Sequence, residues 1–222
     1  MSRPTGACWQ SGGTQASARA QFGASVPSVL SGWPYGGFLA LLHAMRNPGD
    51  ARAVLAGNPV LDWSVQHELA PPHLRRLQED LLGAHLETTA RETLYRERSP
   101  LTHARNLRDP TLILFAAADV RCPASAVEAL RREAEAAPLP IHFRECSGGH
   151  LSAEFDAGIR RAIFEAGFEF VERVIGSAKQ EDAGADRGRR ERDAAVETRR
   201  RDHALRARAW ASGCSQPMGR WT

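Results

Sequence analysis

Short apolar runs alternate with amphipathic stretches along the middle of the chain, and this alternation predicts strands separated by helices. The runs that predict strands lie at residues 26–30, 51–56, 111–116 and 141–145. The run at 111–116 is apolar on both faces, which is typical of a central parallel strand. The run at 141–145 alternates apolar and polar residues, which favours a strand nearer an edge.

Helices are predicted between these strands. Phe38, Leu41 and Met45 recur at helical spacing after the first run, and residues 62–98 form a charged helical stretch that Pro71 interrupts. Pro123 opens a further helix, and an apolar stripe from residue 155 to residue 174 predicts a long last one. Strand–helix units in this order predict an α/β fold with a mostly parallel sheet and helices on both faces.

Composition divides the chain into three regions. Residues 1–22 are rich in Gly, Ser, Ala and Gln without periodicity, and are predicted to be a disordered N-terminal segment. Residues 23–178 carry the periodic pattern and are predicted to be one domain. Residues 179–222 are dense in charge and poor in large aliphatic side chains, which predicts a charged, disordered tail.

Charge follows the same division and argues against nucleic-acid binding. The formal net charge is +3, but residues 179–222 hold 11 basic and 7 acidic residues, and the middle region is mildly acidic. Arginines in the tail are interspersed with acids, which favours a solvated tail over an RNA-binding one. No apolar stretch is long enough to span a bilayer, and no signal-type segment follows Met1, so a cytoplasmic protein is predicted.

The four cysteines show neither paired spacing nor the spacing of metal ligands. They lie at positions 8, 122, 146 and 214, two of them in the predicted terminal regions. A disulfide framework is therefore not expected, and a reducing compartment fits better. No metal site and no cofactor are predicted.

In a parallel sheet, functional residues lie in the loops at the carboxyl ends of strands, and three such loops carry unusual residues. The first has glycines at the small-residue positions of a G-x-S-x-G nucleophile elbow, but its central residue is Pro34. The second places Asp119 directly after the most apolar strand, and the third supplies His150. The order elbow, acid and histidine is that of α/β-hydrolases, in which the carboxylate orients the imidazole.

These loops resemble the catalytic domain of the prolyl oligopeptidase family of serine peptidases, especially its acylaminoacyl-peptidase-like and dipeptidyl-peptidase-like members. The matching segments are GWPYGGFLAL at 32–41, NPVLDW at 58–63, RSPLT at 98–102, PTLIL at 110–114, DVRCP at 119–123 and GGH at 148–150. The resemblance covers roughly residues 26–175. It implies a partial α/β-hydrolase fold, with Asp119 as triad acid, His150 as triad base and the backbone N–H of Tyr35 in the oxyanion hole. It also implies a peptide or acyl-peptide substrate.

Two departures from the family pattern predict a pseudoenzyme. Proline offers no hydroxyl, and its ring holds φ near −65°, whereas the family's serine occupies a strained turn with positive φ. In addition, the strands that precede the elbow in the family have no counterpart here, which predicts a truncated or decayed copy with an exposed sheet edge. Peptide-bond hydrolysis through an acyl-enzyme is then the ancestral reaction.

Two alternatives remain open at this stage. The first is an active hydrolase or esterase that uses a rescue nucleophile, for which Ser31, Cys146 and Ser147 are the nearest candidates in the sequence. The second is a non-enzymatic binding module that associates through the exposed sheet edge or the arginine-rich tail.

Overall fold

The computed structural model describes residues 27–82 and 88–177, together with short pieces at 20–21, 189–190, 192–194 and 197. The chain divides into two compact units, Met1–Ile175 and Gly176–Thr222. The described residues beyond 176 are helical. Most of the segments 1–22 and 179–222, predicted to be disordered, lie outside the described residues.

A four-stranded parallel sheet forms the centre of the first unit, with the strands in the order β1-β2-β3-β4. The strands are β1 (Val29–Gly32), β2 (Ala53–Gly57), β3 (Thr111–Ala116) and β4 (Ile141–Cys146). All four lie at or near the predicted runs. Every residue of β3 is buried, while β4 alternates at the edge, which confirms both predictions from the pattern.

The helices also follow the predicted order. They are α1 (Tyr35–Arg46), α2 (Trp63–Leu69), α3 (Pro72–Leu82), α4 (Thr88–Arg98), α5 (Pro100–His103), α6 (Ala124–Ala136), α7 (Ser152–Phe155) and α8 (residues 157–177), with a short 3-10 turn at Ala104–Asn106. Within the part of the chain that the structure describes, none of these helices is long and apolar enough to cross a membrane.

The sheet buries both faces, as a parallel sheet should. One face, which includes Val54 and Ile113, packs against α1 and α6. The opposite face, which includes Ala53 and Leu112, packs against α8 through Phe170. Because side chains alternate along a strand, neighbouring residues of one strand enter different cores. The predicted α/β architecture with helices on both faces is confirmed.

The long last helix begins later than the apolar stripe predicts. Asp156 separates α7 from α8, and its Oδ1 accepts hydrogen bonds from the backbone N–H groups of Gly158 and Ile159 at 2.7 and 3.0 Å. An aspartate that accepts these bonds caps a new helix. Phe155, expected to be the first member of the buried stripe, is therefore on the short helix and 84% exposed.

Helices α2–α4 pack beside α1 through a second cluster of aromatic and aliphatic side chains. Its buried members are Phe38, Leu42, Val60, Trp63, Leu82, Tyr95 and Cys122. Cys122 comes from the loop after β3, so this cluster joins the helical segment to the carboxyl edge of the sheet. The aromatic cluster therefore lies next to the loop that follows β3 at the carboxyl edge of the sheet.

Candidate active site

Asp119 and His150 meet at the carboxyl edge of the sheet. The loops after β3 and β4 bring them together because these adjacent strands pair over six residues in parallel register. His150 Nδ1 lies 2.8 Å from Asp119 Oδ2 and 3.0 Å from Oδ1. Asp119 is 4% exposed, so the pair is largely shielded from water.

Backbone groups hold the aspartate in place. Its Oδ1 accepts hydrogen bonds from the N–H groups of Arg121 and Cys122, both at 2.8 Å. The ionised carboxylate can only accept hydrogen bonds, so the imidazole nitrogen that faces it must be the donor, and the proton of the neutral ring lies on Nδ1. Nε2 is then the acceptor nitrogen, which is the tautomer that a general base requires.

The histidine loop has its own constraints. Gly148 has a φ of +87°, a region in which glycine carries no steric penalty, and a Cβ there would lie 2.3 Å from Ser152 Oγ. The N–H of Gly149 donates to the same Oγ at 2.8 Å. These contacts turn the chain sharply after β4 and direct His150 towards Asp119.

The loop after β1 forms a tight strand-to-helix connection, but its central residue is helical. Pro34 has φ −69° and ψ −36°, and its carbonyl accepts the N–H of Phe38 at 3.1 Å. Among the described residues other than glycine, only Asn58 has a positive φ. Position 34 therefore has a right-handed helical backbone and no side-chain hydroxyl.

Glycines let α1 pack closely on the sheet at this loop. A Cβ on Gly32 would lie 2.2 Å from the carbonyl carbon of Gly36, and one on Gly37 would lie 3.0 Å from the carbonyl oxygen of Gly32. The ring of Trp33 lies directly over Gly57 of β2, where a Cβ would fall 1.5 Å from a ring carbon. Small residues at the elbow thus permit close packing with Pro34 at its centre.

Tyr35 is the first residue of α1. Backbone N–H groups in the first turn of a helix have no acceptor within the helix itself, which is the property that lets such a group serve an oxyanion. The ring of Tyr35 lies 5.3 Å from that of Phe38 and 6.2 Å from that of Trp63. Burial raises the pKa of the Tyr35 phenol to about 12, with an opposing contribution from Arg98.

A cavity of about 880 Å³ joins the elbow to the segment that follows the histidine. Its lining includes Trp33 and Pro34 on one side and Ala153 and Glu154 on the other, with Phe164 and Phe168 of α8 along its wall. Trp33 therefore borders an open cavity, whereas Trp63 is 2% exposed and packs in the aromatic cluster.

The alternative nucleophiles differ in their surroundings. Ser31 belongs to β1 and lines the cavity, while Ser147 is exposed at the end of β4. Cys146 is half-buried, and burial raises the pKa of its thiol, which disfavours the reactive thiolate.

Two buried residues in the loops at the carboxyl edge of the sheet, Cys122 and Asn58, were not among the predicted site residues. Cys122 is buried beside Asp119 and His150, and burial, together with the Asp119 charge, raises the pKa of its thiol well above the usual range. Asn58 accepts the N–H of Ala116 at 2.9 Å and donates its own N–H to the carbonyl of Leu114 at 2.7 Å. The sequence does contain one signal for Cys122, its position three residues after Asp119. At this position the backbone N–H donates to the Asp119 carboxylate.

The parallel sheet with helices on both faces and the acid–histidine pair at its carboxyl edge define a partial α/β-hydrolase fold. The model of the prolyl oligopeptidase family matches residues 12–176 of this chain, and the chain belongs to that family. The resemblance of the loops is thereby confirmed.

Solved structures share this fold. Over 72% of this chain, the acylaminoacyl peptidase of Pyrococcus horikoshii is 21% identical with a TM-score of 0.61. A puromycin-hydrolyzing peptidase of Mycobacterium tuberculosis is 22% identical over 72% with a TM-score of 0.60. A puromycin hydrolase is 25% identical over 72% with a TM-score of 0.59. This chain covers only 26%, 24% and 24% of those three chains, about a quarter of each.

Proposed function

We propose that the 23–178 domain is a serine-peptidase fold that has lost acyl transfer, with Asp119 and His150 as the remaining acid and base. The observation that carries the proposal is the backbone of Pro34, which starts α1 in the right-handed region. Position 34 holds neither a hydroxyl for His150 to deprotonate nor the left-handed kink that lifts a nucleophile above the sheet.

The expected loss is large. A serine peptidase without its nucleophile loses about 10⁶ in kcat, which corresponds to about 8 kcal/mol of transition-state stabilisation. Burial disfavours a thiolate at both Cys146 and Cys122, and the Asp119 charge disfavours it further at Cys122, so neither cysteine replaces the serine readily.

The class of substrate that we propose rests on family membership and on the aromatic side chains that line the cavity. The similar structures include an acylaminoacyl peptidase, and peptides or acyl-peptides are the substrates we propose for an active form. Trp33, Phe164 and Phe168 line the open cavity next to the elbow. Aromatic side chains in such a cavity suit an apolar side chain of the substrate.

A fluorophosphonate probe tests the proposal, because it labels only an activated nucleophile. We expect the purified chain to remain unlabelled and to hydrolyse neither acyl-peptides nor aryl esters. The Pro34→Ser variant, checked for folding by circular dichroism, restores the hydroxyl beside an intact acid–base pair. Labelling of Pro34→Ser that disappears in Pro34→Ser/His150→Ala supports the assigned roles.

The competing hypothesis, an active hydrolase with a rescue nucleophile, gives the opposite result. Labelling of the unmodified chain that is lost on Ser31→Ala or Ser147→Ala would show that a neighbouring serine has taken over. Labelling that survives in His150→Ala would instead be assigned to non-specific phosphonylation, and the proposal would stand.

A further inference from the structure

Three different ligand types converge beside the acid–base pair. The side chains of Asp119, Cys122 and His150 present an oxygen, a sulfur and a nitrogen that all lie within 4.8 Å of one another. Asp119 and Cys122 are buried, and His150 is half-buried. We propose that these three side chains bind a zinc ion, through Asp119 Oδ2, Cys122 Sγ and His150 Nδ1.

The spacing is close to that of a zinc site. Zinc bonds of about 2.0 Å to nitrogen and oxygen and about 2.3 Å to sulfur place the ligand atoms of a tetrahedral site with one sulfur roughly 3.3–3.5 Å apart. His150 Nδ1 is now 2.8 Å from Asp119 Oδ2, so these two atoms must separate by about 0.5 Å. The ligand atoms of the three residues lie within 4.8 Å of one another, so the sulfur must approach the other two by at most about 1.3 Å. Side-chain torsions supply shifts of this size.

The loop after β3 positions Asp119 mainly through one carboxylate oxygen and leaves the other oxygen available to a metal ion. Asp119 Oδ1 accepts the backbone N–H groups of Arg121 and Cys122, whereas Oδ2 is the oxygen nearer to His150 Nδ1, at 2.8 Å against 3.0 Å for Oδ1. A metal on Oδ2 therefore leaves the two backbone bonds to Oδ1 in place and keeps the loop in its present conformation. Such bonds to the remaining oxygen orient a ligating carboxylate.

Charge balance favours a divalent ion with mixed ligands. One carboxylate and one thiolate neutralise Zn²⁺, so the buried cluster carries no net charge once the ion is bound. In the binding step, bonds form from zinc to oxygen, nitrogen and sulfur as the ion loses water ligands. A coordinated cation lowers the pKa of a ligating thiol, which offsets the burial and the Asp119 charge that disfavour the Cys122 thiolate in its absence. The thiol proton leaves to solvent, and the imidazole proton moves from Nδ1 to Nε2 by exchange with solvent. Water takes the fourth position.

The proposal concerns metal binding by the chain as it is and does not depend on its catalytic state. A thiolate ligand and nitrogen and oxygen ligands together suit zinc or its spectroscopic substitute cobalt better than magnesium or calcium. An imidazole whose Nδ1 is bound to metal no longer pairs with Asp119, so the same ion would also prevent His150 from acting as a general base.

Cobalt titration of the chelator-treated, full-length chain tests the site. We expect tetrahedral visible bands and a thiolate charge-transfer band that saturate at one cobalt per chain and disappear when zinc is added. Cys122→Ser should abolish the charge-transfer band and weaken zinc binding by at least about tenfold to 100-fold. Cys146→Ser is the matched control, because Cys146 lies outside the cluster, and it should retain both signals.

Folding of each variant is checked without metal by circular dichroism, and Cys122→Ala serves as the second variant if a buried serine hydroxyl disturbs the core. The thiolate charge-transfer band must be absent from Cys122→Ala as well. A charge-transfer band that persists in Cys122→Ala, one that is lost in Cys146→Ser, or octahedral cobalt spectra with the unmodified chain would each overturn the assignment.

Discussion

Asp109 and Asp119 are both almost completely buried, yet their partners differ. Asp109 is 1% exposed, and its two oxygens accept the N–H groups of Gly49 and Ala51 at 3.0 and 2.9 Å. These bonds fasten the turn after α1 to the start of β3. Asp119 combines backbone donors with an imidazole, and this difference in partners separates a structural carboxylate from a candidate catalytic one.

Asp109→Ala tests the structural role. The substitution leaves two backbone donors without their acceptor, the buried N–H of Ala51 and the part-buried N–H of Gly49. A buried loss of this kind costs about 1–3 kcal/mol, and a loss that water can reach costs less. We expect the free energy of unfolding in urea to fall by about 2–4 kcal/mol.

Asp156→Ala is the matched control, since Asp156 also accepts two backbone N–H groups but is exposed. Loss of this helix cap should cost about 1 kcal/mol. Equal losses for the two variants would mean that burial does not set the value of these bonds.

The sequence indicates the candidate acid and base but not the cysteine beside them. Asp119 and His150 are predicted from their loops and from the family resemblance, and the structure brings them within hydrogen-bonding distance. The cysteines have no ligand spacing in the sequence, and the position of Cys122 three residues after Asp119 is the one local signal for it. Its nearness to His150 depends on the pairing of β3 with β4, which no local spacing reveals.

At the scale of elements, the junction between β1 and α1 shows that the glycines of an elbow pattern have separate packing roles. Strand and helix approach closely there, and this approach needs glycine at only some of the positions. Gly32 and Gly37 have backbone atoms within 3.0 Å of the position that a Cβ would take, while Gly36 has open space around it. The sequence pattern treats these glycines alike, and only the packing distinguishes them.

Gly32→Ala and Gly36→Ala form a matched pair at this junction. The Cβ of the first would meet backbone atoms 2.2 Å away, and we expect a loss of stability of about 1–3 kcal/mol or more from overpacking. The second falls in the first turn of a helix with free space, so it should be neutral or stabilising by up to about 1 kcal/mol. Urea denaturation measures both, and a destabilised Gly36→Ala variant would contradict this account.

The limits of the elements are predicted less well than their order. The apolar pattern places the first strand at 26–30, but it runs Val29–Gly32, because pairing with Ala53–Gly57 sets which residues join the ladder. The same pattern predicts that the last helix begins at Phe155. In the structure Phe155 ends the short helix α7, and Asp156 caps α8 after it. Both differences arise because periodicity reports the buried face, whereas hydrogen bonds with distant or neighbouring groups set the ends.

At the scale of the whole molecule, two layers of helices enclose one sheet, and α8 forms the second layer over the face that includes Leu112 and Leu114. Phe170 packs in this layer and is 2% exposed, whereas Phe168, two residues earlier, is 66% exposed and borders the cavity. Helix α8 therefore has one buried and one exposed phenylalanine within a single turn.

Phe170→Ala measures the contribution of this second layer. Removal of a fully buried phenylalanine should lower the free energy of unfolding by about 3–5 kcal/mol. Phe168→Ala, the control on the same helix, should change it by no more than about 0.5 kcal/mol. Thermal unfolding followed by circular dichroism ranks the two, and a larger loss for Phe168→Ala would mean that α8 packs on the sheet through another face.

The sequence by itself determined the class of fold, the order of strands and helices, and the candidate acid–histidine pair. Each of these depends on local patterns: apolar periodicity, turn residues and short motifs that occur in a known order. The restriction at position 34 was equally plain, because the covalent ring of proline limits the backbone in any context.

Only the tertiary structure decided which oxygen of Asp119 is held by the backbone, which glycines permit close packing, and that Cys122 lies in a cluster with Asp119 and His150. These facts depend on residues far apart in the chain, placed together by the parallel register of β3 and β4 and by the packing of α1 on the sheet. Hydrogen bonds and close packing act over a few ångströms in space, and separation along the chain does not determine such distances.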